Sequence, residues 1–421
     1  MKLVERHIIY KTHPEWKTID HLCFLSKNLY NYSVYKIREH FKKTGKFMYY
    51  NKIEKELRTT KNENYIILPN NSSQQILLVI DRNFRSFFQA LRRWKRNKTN
   101  FTGCPKPPKF KHKTKGRNLV IFTINQVKLK DGFIKFPKKT NLKPLKTKVD
   151  NINQVRIIPQ TSCYVIEVVY EKEEIKHENL NEHLYLGIDL GINNIVSMIS
   201  NQPGLKPILI NGQIIKSYNQ YFNKTKAKIQ SNLEKNHKRK TSNKLNRLQL
   251  KRNNKIDFYL HHVSKFIVEY CTTNDIGNII IGKNDGWKQN INIGKVNNQK
   301  FVSIPYEKLI QQIEYKSKLN GIKIISHEES YTSKCSSLDI EEVKKHDKYI
   351  GKRIYRGLFK YSKGLINADT NAALNILRKV IGDTFIQDFL KSPNRGFVHN
   401  PVKVNPLQRI QLKTSTNLYR F

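Results

Sequence analysis

Tyr185-Leu186-Gly187-Ile188-Asp189-Leu190-Gly191-Ile192-Asn193-Asn194 decides how the rest of the chain is read. An apolar run ends at one acid set between two glycines, then passes through a tight turn into a second apolar run, Ile195 to Ile199. That pattern predicts a buried strand followed by a hairpin. It leaves a lone carboxylate at a strand end. Glycines at 187 and 191 lack a Cβ and leave room for something to approach the backbone, and a bulky anionic substrate with a hard cation suits that room. On this segment alone an ordinary Asp-Leu-Gly turn fits equally well.

Composition narrows the choice. The chain has 421 residues, 78 Lys and Arg against 33 Asp and Glu, and a formal net charge of +45. That length exceeds one compact core and predicts at least two domains. A cationic surplus spread over most of the sequence calls for a polyanion, and nucleic acid answers it more naturally than a membrane surface. No apolar run approaches the ~20 residues of a membrane span, and the N-terminus has no signal-peptide core, so a cytoplasmic protein without membrane contact is expected. Cys23, Cys104, Cys163, Cys271 and Cys335 lie far apart and form no CxxC pair, which argues against both a disulfide framework and a zinc site.

From the N-terminus, Leu3 to Lys11 reads as a strand and Ile19 to Phe41 as a helix. Ser72 or Ser73 is placed to cap a second helix through Phe88 and Leu91. That helix ends in Arg92-Arg93-Trp94-Lys95-Arg96, a face able to grip a phosphate backbone while the ring stacks on a base. The connector Gly103 to Lys113, with Lys109 and Lys111, is extended, proline-stiffened and basic, and repeats that chemistry. Beyond it, Leu119 to Ile124, Val127 to Leu129, Phe133 to Phe136, Val155 to Ile158 and Tyr164 to Tyr170 read as strands of a small β-barrel, with Asp131-Gly132 as a hairpin turn.

From Leu184 the rhythm becomes mixed α/β. Three consecutive strands are followed by a basic stretch, Lys224 to Lys255, whose Lys238, Arg239 and Lys240 repel one another unless a polyanion lies alongside. A helix through Phe258 and Tyr270 leads to a strand at Ile279 to Ile281, a helix from Pro305, and a strand at Ile322 to Ile325 running into Glu328 and Glu329. Asn367 to Leu377 begins a last helix with Asp369 in its first turn. The tail from Ser392 to Phe421 reads as loop or disorder.

Gly187-Ile188-Asp189-Leu190-Gly191, Tyr331-Thr332-Ser333-Lys334 and Asn367-Ala368-Asp369-Thr370-Asn371-Ala372-Ala373-Leu374-Asn375-Ile376 resemble, in the same order, the three blocks of the TnpB family, transposon-encoded relatives of type V CRISPR effectors. The resemblance covers the second half of the chain; the first half agrees in layout. It implies a multidomain α+β chain: a β-barrel wedge domain over 1–14 and 103–183, interrupted by a helical recognition domain over 15–102. An α/β RNase H-like RuvC nuclease domain over 184–391 follows, carrying a degenerate target-nucleic-acid-binding insertion at 328–367, and then a tail over 392–421. It further implies a guide RNA from the transposon end and a double-stranded DNA target cut beside a short adjacent motif; the sequence leaves monomer or dimer open, with a monomer favoured. The same resemblance marks Tyr331, Ser333 and Lys334 as nucleic-acid contacts.

Nucleases of this fold hold two Mg²⁺ ions on carboxylates, one activating water and one stabilising the leaving oxygen. The resemblance assigns Asp189 and Asp369 to that task; as ordinary structure they are a turn aspartate and a favourable helix N-terminal charge. The family's third acid directly follows the strand Ile279 to Ile281, but this chain has Gly282 there. Asp285, Glu328 and Glu329 are the replacements in reach. Period-two geometry sends Glu328 and Glu329 to opposite faces, and Glu328 shares parity with Ile322 and Ile324, so it is the expected metal ligand, with Glu329 next. The family's four-cysteine ribbon is also missing: Cys335 and His346 are two ligands at most, and no zinc is expected. The expected function is an RNA-guided DNA endonuclease. A nuclease-dead, RNA-guided DNA-binding repressor and a transposase accessory protein are the alternatives.

Overall fold

The computed structural model describes residues 1–174, 180–237, 241–284, 294–391, 395–408, 412–414 and 417–419. Asp285 and Lys238, Arg239 and Lys240, singled out above, lie outside the described residues. The chain divides into two units, Met1–Lys172 and Glu173–Phe421.

The first unit runs β1 (Lys2–Ile9), α1 (Trp16–Thr44), α2 (Tyr50–Thr59), α3 (Glu63–Ile66), α4 (Asn70–Arg96), β2 (Val120–Thr123), β3 (Lys128–Lys130), β4 (Phe133–Lys135), β5 (Leu145–Lys146), β6 (Ile152–Pro159) and β7 (Tyr164–Glu171). Helix α1 buries Ile19, Leu22, Leu29, Val34 and Ile37 and ends at Gly45, whose φ of 67° lets its N–H reach the Phe41 carbonyl at 2.8 Å. Ser72 and Ser73 do not cap α4. The helix starts from Pro69, and the buried Ser73 hydroxyl instead donates to the Tyr65 carbonyl at 2.7 Å. Asp131 and Gly132 both have positive φ, as a two-residue hairpin turn requires.

The expected barrel is not one closed sheet. Four antiparallel strands run in the order β1-β7-β6-β2, and β3-β4-β5 form a separate three-stranded sheet. Strands of two or three residues have too few ladder bonds to bridge the larger sheet's edges. Both sheets instead share one apolar core with the helices, joining Ile134, Val155 and Val168 to Ile19, Val34 and Ile80.

The second unit runs β8 (Asn181–Asp189), β9 (Asn194–Ser200), β10 (Ile208–Asn211), α5 (Gln213–His237), α6 (Asn243–Thr273), β11 (Ile276–Gly282), α7 (Lys295–Val302), α8 (Tyr306–Leu319), β12 (Lys323–His327), β13 (Lys352–Tyr355), β14 (Leu358–Tyr361), β15 (Gly364–Asn367), α9 (Ala368–Ile381), α10 (Thr384–Lys391) and β16 (Val402–Val404). Six strands form one sheet in the order β12-β11-β8-β9-β10-β16. The antiparallel meander β8-β9-β10 is extended by parallel β11 and β12 on one side and by β16, parallel to β10, on the other. Strand β11 is buried throughout, as a strand covered on both faces must be. Ile279 and Ile281 join the core under α6 and α8, while Ile280 joins the core under α9.

Gly187 serves that packing. A Cβ there would lie 2.6 Å from Leu377 Cγ and 2.7 Å from the Ala373 carbonyl, both on α9. The space predicted for a substrate is taken by the protein's own helix. At Gly191 a Cβ would meet the Asn194 carbonyl at 2.6 Å, so that glycine serves the turn. Two further expectations change. The basic stretch is split between two helices, with Ser242 capping α6 by accepting from Leu245 N–H at 3.2 Å. The tail contributes β16, because Val402 and Val404 alternate along an otherwise open sheet edge. Among the described residues no helix is long and apolar enough to cross a membrane.

Candidate active site

One edge of the six-stranded sheet collects the ends of β12, β11, β8, β10 and β16 together with the start of β9. Asp189 is the last residue of β8, paired in register with Ser197. The following turn is held by Gly191 N–H on the Ile195 carbonyl and by the buried Tyr306 hydroxyl, which donates to the Gly191 carbonyl at 2.8 Å. Asp369 is the second residue of α9, whose N-cap Asn367 accepts from Asp369 N–H at 3.0 Å and Thr370 N–H at 3.1 Å. Its carboxylate accepts from Asn194 Nδ2 at 2.8 Å and pairs with Arg353 Nη2 at 3.2 Å.

The third acid at this edge is Glu329, and the preference for Glu328 is corrected. Strand β12 stops at His327, so two-residue alternation does not extend to the glutamates. Glu328 is 57% exposed and pairs with Lys379 Nζ at 3.0 Å. Glu329 turns inward: its N–H donates to Asn284 Oδ1 at 3.1 Å, and Asn284 Nδ2 donates to its Oε1 at 3.4 Å. Its Oε2 is buried and, within the described structure, has no hydrogen-bond partner. Gly282 makes room for it, since a Cβ there would lie 2.9 Å from Glu329 Oε2 and 2.5 Å from Ile376 Cδ1. A glutamate at 282 and the glutamate at 329 compete for one space. Asn284 and Asn194 were missed as site residues; Asn194 is the last residue of the opening stretch quoted above.

Electrostatics ties the acids together. Burial pushes Asp189 well above the ordinary carboxylate range, and the charges of Glu329 and Asp369 push it further, against the pull of Arg353. Burial, then repulsion from Glu328, raises Glu329 to about 7, with Lys379 opposing. Tyr306 is raised by burial and then by Asp189 and Glu329. A buried carboxylate raised by two neighbouring acids, beside a buried oxygen without a partner, matches the needs of a hard cation, and an all-oxygen donor set suits Mg²⁺. Among the described residues, no three acids or histidines close into a metal cage. Magnesium, which keeps several waters and takes substrate phosphates as ligands, does not require one.

Cys335 and His346 do not form a metal pair. The Cys335 thiol lies 3.5 Å from the Lys344 carbonyl, and the His346 ring lies 2.7 Å from the Glu342 carbonyl. Hydrogen bonds brace this loop instead. The buried Glu341 carboxylate accepts from Ser336 N–H at 2.7 Å and Ile350 N–H at 2.8 Å. Asn371 accepts from Ser337 N–H at 2.9 Å and donates to the Cys335 carbonyl at 2.9 Å. Asn375 donates to the Thr332 and Cys335 carbonyls, and Arg378 Nη1 donates to Asn375 Oδ1 at 2.8 Å and the Glu341 carbonyl at 2.9 Å.

Of the predicted nucleic-acid contacts, Arg92 and Arg93 are exposed, while Trp94 is half-buried with Lys98 over its ring at 5.3 Å. Lys109 is exposed. Lys111 folds back, half-buried, with its ammonium 5.1 Å from the Tyr30 ring centre and its proton affinity lowered by burial. The connector's backbone is fastened to α1, where Asn31 exchanges two hydrogen bonds with Lys111 and Arg38 donates to the Pro108 carbonyl at 2.6 Å. Tyr331, Ser333 and Lys334 are exposed around the buried Thr332, whose hydroxyl donates to the Glu329 carbonyl at 2.8 Å.

Comparison with known proteins points the same way. Residues 167–288 match the family OrfB_IS605, described as a probable transposase, and residues 306–376 match the Cas12f1-like TNB domain. The CRISPR-associated endodeoxyribonuclease Cas12f2 of Micrarchaeota archaeon (strain CG1_02_47_40) is 31% identical over 231 residues, which are 52% of this chain and 41% of that protein. The chain therefore aligns with less than half of this relative's length. The cryo-EM structure of a Cas12f1-sgRNA-target DNA complex shares the fold, with a TM-score of 0.50 at 16% identity over 86% of this chain and 82% of that one.

Proposed function

We propose that this chain, two stretches of which match the OrfB_IS605 and Cas12f1-like TNB families, is an RNA-guided DNA endonuclease of the TnpB-like kind that cuts a double-stranded target beside a short adjacent motif, using Mg²⁺ held by Asp189, Glu329 and Asp369. The observation that carries this reading is the partnerless, buried Glu329 Oε2 beside two further acids at one sheet edge. Bound there, divalent ions would supply an activated water and charge neutralisation at the leaving oxygen. The chain's own residues fix the acids in place: Asn284 orients Glu329, and Asn194 and Asn367 fix Asp369. Arg353 pairs with Asp369 in the free chain and, being half-exposed, would be available to a substrate phosphate once cations take up the acid. The exposed cations of α4, the connector and the Tyr331 to Lys334 turn would hold guide and target through backbone contacts, leaving sequence choice to base pairing. A guide RNA from the transposon end and a monomeric working unit belong to the same proposal.

The test is incubation of the protein, guide RNA and matched DNA with Mg²⁺. Cutting by the natural chain, and none by Asp189→Ala or Asp369→Ala, is the expected result; unchanged cutting by either variant refutes the site. The Arg353–Asp369 ion pair favours a second reading, a nuclease-dead DNA-binding repressor, which would shift the DNA on a gel and leave it whole.

A further inference from the structure

Asp369 has a second neighbourhood. On the side towards β10 and β16 it lines a cavity of roughly 470 Å³, a volume within the range of small-ligand sites. Asn211, Gln213, Arg356, Lys403 and Gln408 share that lining. Asn211 Oδ1 accepts from Gln213 N–H at 2.8 Å, which turns its amide NH₂ to other use. Gln213, Gln408, Arg356 and Lys403 are all exposed, and within the described structure none of their side chains is tied up in a hydrogen bond or ion pair. Two cations and several solvent-facing amides in one lining are the two halves of nucleotide recognition: charge for phosphate, and paired donor and acceptor for a base edge.

Resting on the nuclease reading, we propose that this cavity seats one nucleotide of the strand being cut, next to the phosphate held at the acids. Lys403 and Arg356 take its phosphate, and Gln213, Gln408 and the free Asn211 amide read its base. The placement follows from the sheet edge. Glu329 lies beyond β12, Asp189 ends β8, Asp369 comes next, and the cavity continues along β10 and β16. A strand laid along that edge with a phosphate at the acids carries its neighbouring nucleotide into the amides. Cutting then depends on the base beside the cut as well as on guide pairing. A planar amide matches the N6 and N7 edge of adenine, which is the base expected there.

Two measurements on the full-length protein test this. The first maps cut positions on DNA randomised around the cut. The natural chain should favour adenine beside the cut, and Gln213→Ala with Gln408→Ala should flatten that preference by at least about fivefold. Gln213→Glu should move it towards cytosine, whose amino group a carboxylate accepts, a gain that misfolding cannot imitate. A map untouched by all three substitutions overturns the subsite. The second crosslinks single-stranded DNA carrying a photoreactive base and identifies the labelled peptides. Labels on 211–213 or 403–408 support the subsite, and their absence from both overturns it. Protein that labels there yet leaves DNA whole with guide, target and Mg²⁺ sinks the nuclease reading and leaves the subsite standing.

Discussion

Helix α9 carries two polar clusters built on opposite plans. At its first turn, Asp369 stands with Asp189 and Glu329, where burial and then the charges of Glu329 and Asp369 raise the proton affinity of Asp189, and the buried Glu329 Oε2 has no partner within the described structure. Along another stripe, Asn371, Asn375 and Arg378 recur at helical spacing and knit the loop from Thr332 to Ile350 with donors matched to acceptors. Buried polar groups cost free energy unless they are paired, so the difference is diagnostic. The unmatched cluster leaves an acceptor open; the matched one closes on itself.

The largest expected effect breaks the unmatched side. Asp189→Ala, Asp369→Ala and Glu329→Gln should each lower cutting by more than the roughly 100-fold that loss of a mere supporting contact can cost. The melting temperature should not fall for Asp189→Ala or Glu329→Gln, which relieve a buried charge, while Asp369→Ala also gives up the bonds to Asn194 and Arg353 and should lower it slightly. A variant that cuts normally, or at 189 or 329 one that melts early, would mean these acids are structural. On the matched side, Glu341→Ala strands the buried Ser336 N–H and frees the half-exposed Ile350 N–H to water, and should cost about 1–3 kcal/mol in denaturant unfolding. A chelator, by contrast, should stop cutting and leave that unfolding curve in place; a chelator-sensitive curve would mean the loop holds a metal after all. Gly282→Ala lies between the clusters, against Ile376 of α9 and Glu329. It should destabilise by about 1–3 kcal/mol and lower cutting by displacing Glu329, so an unaffected nuclease would show that Glu329 is not held by that gap. Smallest of all, Glu328→Gln weakens a half-exposed pair with Lys379, which keeps its bonds to the Glu328 and Ser330 carbonyls, and should change stability by less than about 1 kcal/mol, with cutting retained.

Sequence reading went as far as local pattern reaches. The acid after Ile188 and the acid in the first turn of α9 stand in recognisable blocks, and the structure brings both to one edge. The glutamate was misjudged because alternation was carried two residues past the end of a strand that nothing in Ser326-His327-Glu328-Glu329 announces. Its true orientation depends on Asn284, a contact between distant parts of the chain. Gly187 was legible as a place of close approach, but not that α9 would take it. The barrel failed to close because ladder length between short strands is a tertiary outcome. Strand β16 was hidden because three residues gain strand character only from the edge they join.

Because α9 both seats an acid and anchors the loop, the two clusters share a mechanical fate. Warming that loosens the loop would free the helix's opening turn first, so cutting should fade at temperatures where spectroscopy still reports a folded chain. The upper working temperature of the proposed nuclease would then be set by a segment that contributes nothing to the chemistry.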